Sequence, residues 1–263
     1  VPAVLPPFLQ QVFVFLVGCC LGSFFNVMIH RLPRNESILR PPSHCPRCSH
    51  LIAFYDNIPL VSYLLLRGRC RHCGASIPLR YPLVEALTGG LFLLLFLRYG
   101  LTPQFVIEGL LVSFLILITF IDLDTYLIPD VLSLSGLVLG FACSFFTPRL
   151  SWLDSLLGIV LGGGFFLLIA VGYQALRHKD GLGGGDIKLL GMIGAFFGWP
   201  GVLFTVLTAS LIGTAVGGVV MWRNRKGLDT KLPFGPFLAG GALLYLFWGD
   251  AFYRWYVTDI LAL

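Results

Sequence analysis

The chain has 263 residues, 57% of them hydrophobic and only 12% charged, whereas a soluble domain carries about 25% charged residues. This composition excludes a single water-soluble core and points to lipid as the second solvent. The net charge of +5 follows from the placement of basic residues around apolar spans, described below, and gives no ground for nucleic-acid binding.

The first predicted element is the uncharged run Phe8 to Ile29, long enough to span a bilayer, which takes about 20 apolar residues. Its basic residues follow it, at His30-Arg31-Leu32-Pro33-Arg34, so it reads as a retained helix and not as a cleavable signal. Segment 31–80 is the one sizeable water-facing piece. It carries Cys45-Pro-Arg-Cys48 and Cys70-Arg-His-Cys73, two C-x2-C knuckles 21 residues apart. Four thiolates in that arrangement suit tetrahedral zinc, and because the protein supplies all four ligands the site is structural. His44, His50 and His72 stand close by but are not needed. Cys19, Cys20 and Cys143 fall in spans and read as packing residues. Between the knuckles, "YDNIPLVSYLLLRGRC" reads as short strands or a docking helix.

Two further spans follow, Tyr81 to Leu97 with Glu85 and Tyr99 to Ile121 with Glu108. The stretch "FIDLDTYLIPD" places Asp122, Asp124 and Asp130 where the third span ends. The runs Val131 to Pro148 and Ser155 to Leu176 are spans four and five. Next comes "GLGGGDIKLLGMIGAFFGW", with Asp186 behind Gly183-Gly184-Gly185. The uncharged run Leu189 to Trp222 holds 34 residues, and Gly198-Trp199-Pro200-Gly201 divides it. The sixth span would then be roughly 18 Å long at 1.5 Å per residue, short against a hydrocarbon core of about 30 Å. Asp186 would lie inside the membrane boundary, in a water-accessible notch. Leu232 to Gly249 is the eighth span.

The expected fold is an all-α polytopic membrane protein with eight transmembrane helices and a small cytoplasmic zinc-binding domain. Its parts are span 1 (1–30), the zinc domain (31–80) and a seven-helix core (81–263). Eight alternating helices put fifteen of the 18 Lys and Arg residues on one side. By the positive-inside bias that side is cytoplasmic and both termini face outward.

Carboxylates near lipid are costly and usually serve a function. Asp122 and Asp186 both fall at cytoplasmic helix ends. Two carboxylates sharing a proton can act on an amide, one taking a proton from water and the other donating to the carbonyl oxygen. The glycines before Asp186 would admit an extended substrate backbone. The structural alternative is helix capping by Asp186 and Asp130. Two other functions compete: a proton-coupled transporter using Asp122 and Asp186, and a non-enzymatic adaptor using the zinc lobe.

At these residues the chain resembles the type IV prepilin peptidases, integral membrane proteases of the GxGD aspartyl class. Gly183-Gly184-Gly185-Asp186 followed by Ile187-Lys188, the segment "IDLDTYLIPD", "GSFFNVMIHRLP" and "CPRC…NIP…CRHCGASIPLRYPLVE" carry the resemblance. It implies catalytic aspartates at Asp122 and Asp186, and cleavage of the basic leader of prepilins or pseudopilins at the cytoplasmic side of a bacterial inner membrane. It further implies N-methylation of the new terminus with S-adenosylmethionine. The methyltransferase residues are not assigned; the cytoplasmic domain and the region of Arg80 and Glu85 are candidates. Glu36, Asp56, Asp124 and Asp180 are candidates for steering the basic leader.

Overall fold

The computed structural model describes residues 6–147, 149–177, 183–224 and 232–255. Asp180, Gly181 and most of the basic segment 223–231 therefore lie outside the described residues. Among the described residues there is no β-strand, only two isolated bridges, His44 with Leu51 and Arg69 with Ser76. Among the described residues five helices are long and apolar enough to cross a membrane, and Asp130–Ser144 and Gly235–Gly249 are shorter apolar helices. The chain divides into two compact units, Val1–Leu117 and Ile118–Leu263.

The first unit is built on α1 (Pro7–Arg31) and α3 (Arg80–Tyr99). Small residues let these helices approach closely. A Cβ added at Gly18 would lie 2.8 Å from Gly89 Cα, and one at Gly22 would lie 2.7 Å from Glu85 Cα. Gly18 and Gly22 on α1 face Glu85 and Gly89 on α3, a small-xxx-small contact of the kind that joins membrane helices. Cys19 is buried in this seam, as expected of a packing residue, whereas Cys20 is exposed.

The loop from α1 to α3 is tied to both helices. Arg31 donates to the carbonyls of Ser37 (2.9 Å) and Pro41 (2.7 Å). Glu85 accepts from the backbone N–H of Leu60 at 2.8 Å. Between the knuckles the chain forms a short turn, Phe54–Asp56, and a short helix, α2 (Val61–Leu65). The helical alternative for this segment is the one observed.

α4 (Pro103–Thr125) reaches further than the third apolar run, so Asp122 and Asp124 lie within its last turn. In the second unit, α5 (Asp130–Ser144) is followed by α6 (Trp152–Ile159) and α7 (Phe166–Arg177), joined through a wider π-helical turn over Val160–Phe165. α8 (Gly184–Asn224) breaks at Gly198, which has φ 70° and ψ −173°. Only glycine adopts that conformation readily, and Pro200, two residues on, lacks an N–H for the helical ladder. The run expected to hold two spans is thus divided at Gly198 into two helical segments, where the glycine and proline were expected to divide it.

The part of α8 before the break is the centre of the unit. Ile187, Leu189, Leu190, Met192, Ile193, Ala195, Phe196 and Phe197 are all buried, as fits a segment apolar on every side. Gly158 packs backbone to backbone against Gly194, and Gly162 against the Leu190 carbonyl. Ser155 donates to the Ala195 carbonyl at 2.7 Å. Beyond the break, Leu203, Leu207, Leu211, Val219 and Trp222 are exposed and form a lipid-facing surface. α9 (Gly235–Trp255) completes the unit.

Candidate active site and metal centre

Asp122 ends its helix facing inward. It is 5% exposed, and its Oδ2 accepts from the backbone N–H of Gly235 at 2.9 Å. Asp124, two residues on, is exposed. Gly235 opens α9 and is followed by Pro236, a residue suited to the first turn. A Cβ at position 235 would lie 2.6 Å from Asp122 Oδ2, so the carboxylate occupies the space a side chain would need.

Asp186 stands in the first turn of α8, where its backbone N–H donates to the Gly183 carbonyl at 3.0 Å. Among the described residues no hydrogen bond from its side chain caps the helix. Asp130 does not cap α5 either; it pairs with Lys188 at 2.6 Å, both groups being solvent-exposed. Such a surface pair contributes about 0–1 kcal/mol.

The glycine motif has a steric basis. A Cβ at Gly183 would lie 2.9 Å from Asp186 Oδ2, one at Gly185 would lie 2.9 Å from Ile128 Cβ, and one at Gly184 would meet nothing within 4 Å. None of the three has positive φ, so close approach rather than an unusual backbone requires glycine at 183 and 185. The pattern G-x-G-D is read off directly: the middle position is open.

Ile128 joins the two acids into one site. Its side chain abuts Gly185, beside Asp186, and also lies 3.3 Å from a Cβ placed at Gly235, which touches Asp122. The two carboxylates interact electrostatically. Sequence reasoning did not find Gly235 or Ile128. Gly235 is separated from Asp122 by 113 positions, and the signal "PFGP" announces only a helix start.

The four cysteines converge in the loop of the first unit. Their sulfurs all lie within 4.8 Å of one another, with Cys45 and Cys73 at 3.8 Å. A disulfide needs about 2.05 Å, while a tetrahedral ion with bonds of about 2.3 Å separates its sulfurs by roughly 3.8 Å. The donor set and spacing fit a metal ion. Backbone N–H groups of Cys48 and then Arg47 aim at the Cys45 sulfur and hold its thiol down to about 6, which supplies thiolate at neutral pH. Tight turns close each knuckle: Cys45 N–H donates to the His50 carbonyl and Cys70 N–H to that of Ala75. His50 and His72 lie against each other, ring centroids 3.4 Å apart, outside the ligand set. Asp56 is engaged by Arg71 in a two-pronged contact of 2.8 and 2.6 Å, which ties the Phe54–Asp56 turn to the second knuckle.

Comparison with known proteins matches both halves of this description. Residues 16–99 match the family model of the bacterial peptidase A24 N-terminal domain, and residues 109–218 that of the type IV leader peptidase family. A protein of Burkholderia pseudomallei is 35% identical over 276 residues, covering 95% of this chain and 89% of its own. The chain belongs to the type IV leader peptidase family. A Pseudomonas aeruginosa relative is 39% identical, with 92% of this chain and 91% of the relative aligned. A Myxococcus xanthus relative is 44% identical over 80% of this chain, which spans 62% of that protein's length. All three relatives are named prepilin leader peptidase/N-methyltransferase. No solved structure matches the chain. Nothing in these relationships supports the transporter alternative for a leader peptidase family member.

Proposed function

We propose that this chain is a multi-pass enzyme of the bacterial inner membrane that cleaves the leader of prepilins or pseudopilins and then N-methylates the new terminus. The observation that carries the reading is the gathering of Asp122, Asp186 and Ile128 at the glycine-lined start of α8 in a chain of the leader peptidase family. Asp122 and Asp186 form the catalytic pair. One carboxylate takes a proton from water as the water oxygen attacks the scissile carbonyl carbon. The other donates a proton to the carbonyl oxygen. The C–N bond then breaks, with a proton passing to the leaving nitrogen, which becomes the free amine of the mature protein. Gly183, Gly184 and Gly185 form the strip along which the extended substrate backbone approaches Asp186.

Cys45, Cys48, Cys70 and Cys73 hold one structural zinc, with no open position for chemistry. S-adenosylmethionine supplies the methyl group for the new amine. Segments 1–30, 31–80 and 81–263 serve as anchor helix, zinc domain and protease core. The basic flanks in the sequence support a cytoplasmic zinc domain and aspartate pair, with the termini outward, by the positive-inside bias.

The deciding experiment is cleavage of a purified prepilin by the chain in detergent. Asp122→Asn and Asp186→Asn should each lower the rate by about 10²–10⁴-fold, the usual contribution of an acid–base group, with zinc content unchanged. Asp124→Asn should stay near wild type. Near-normal cleavage by either of the first two variants would sink the assignment.

A further inference from the structure

A cavity of about 340 Å³ lies wholly within the first unit, inside the range of about 300–1,000 Å³ typical of small-molecule sites. It follows one face of α1 through Cys20, Ser23, Phe24 and Arg31 and is covered by Pro41 and Asn57 from the following loop. Its lining is mixed: an aromatic ring and proline against a hydroxyl, an amide and a guanidinium.

Arg31 is the telling member. It is only 8% exposed, and its hydrogen bonds go to two neutral carbonyls. Among the described residues no carboxylate pairs with it. A buried charge without a counter-ion is expensive, and the guanidinium keeps further N–H donors beyond the two in use. An anionic group in the cavity would complete it, and a carboxylate matches the fork best.

We infer that this cavity is the methyl-donor site, with the amino-acid carboxylate of S-adenosylmethionine on Arg31. The purine has Phe24 and Pro41 as apolar neighbours, and the Asn57 amide offers a donor and an acceptor for its polar edge. The inference rests on the N-methyltransferase part of the proposed function. It adds the place and the recognising residues.

The test is equilibrium binding of radiolabelled S-adenosylmethionine to the full chain in detergent, together with mapping of Cys20 alkylation by N-ethylmaleimide. Cys20 is exposed and lines the cavity, so bound donor should shield it. Arg31→Gln should weaken binding by about tenfold or more, as for loss of a charge-assisted pair. Ser43→Trp, which fills the cavity from the loop and leaves Arg31 in place, should do the same. It carries the test if Arg31→Gln does not fold, with zinc content reporting an intact lobe. Wild-type binding that both variants retain, with Cys20 alkylated at an unchanged rate, would overturn the site while leaving the methyltransferase reading intact. No binding by a wild-type chain that still cleaves prepilin would overturn the methyltransferase reading itself. Shielding of Cys20 by phosphatidylglycerol vesicles but not by the methyl donor would make this a lipid-headgroup site and overturn the proposal.

Discussion

Asp122 and Asp124 are two positions apart on α4, so the helix turns their side chains about 200° away from each other. One is buried and hydrogen-bonded to Gly235; the other faces solvent. The sequence alone offered three acids in "IDLDTYLIPD", and it is the helical rotation that separates them. The glycines around the pair make distinct predictions. Gly184→Ala should slow prepilin cleavage less than Gly235→Ala, because its Cβ presses on no group of the chain itself. Gly235→Ala should cut the rate by about tenfold or more by pressing on the Asp122 carboxylate, an effect in proportion to how sharply catalysis depends on position. Equal rates for the two variants would remove the steric account. Asp56 supplies a pH test. Its hydrogen bonds from Arg71 hold its carboxyl below the usual carboxylate range. That contribution is complete above about pH 4, the unfolded value, and is lost as the pH falls through the folded one. Hydrogen exchange of residues 54–73 should therefore be slower in wild type than in Asp56→Asn at pH 7, with the difference vanishing in acid.

At the scale of elements, the seam between α1 and α3 depends on small residues. Gly22→Leu would drive a side chain into Glu85 Cα. It should cost about 1–3 kcal/mol by overpacking, read as a lower melting temperature of the purified chain, while Gly90→Leu, with open space at its Cβ, should be tolerated. The break in α8 was legible because Gly198 and Pro200 act on the backbone locally. The cysteine knuckles were legible because a C-x2-C spacing is itself the geometry. The burial of residues 189–197 on every side was not, since a uniformly apolar run reads alike against lipid and against protein. Nor was the π-helical turn at Val160–Phe165, where Gly162 must fit against the Leu190 carbonyl. Gly235 stayed hidden for the same reason: its meaning lies in a contact across 113 positions.

Over the whole molecule, apolar runs and basic flanks were enough to read a polytopic membrane protein, because they record the solvent each segment meets. The pairing of helices within each unit depends on side-chain fit and was not written in any one segment. The metal, by contrast, should act locally. Chelation, or Cys48→Ser, should lower zinc content from about one ion per chain and speed hydrogen exchange across 44–76, since the loop has little apolar core of its own to hold it. Exchange within residues 187–197 should be unaffected; a uniform loosening would refute a locally structural metal. The glycine break in α8 has a consequence for how the chain tolerates change. On its near side every position from Leu189 to Phe197 is buried in protein, and on its far side one face is exposed and apolar. In a comprehensive substitution library, positions 189–197 should admit few replacements and positions 203–222 should accept any hydrophobic shuffle on the exposed stripe. The boundary between these regimes should fall at Gly198, so that two stretches contiguous in the chain behave in sequence space as two unrelated genes would.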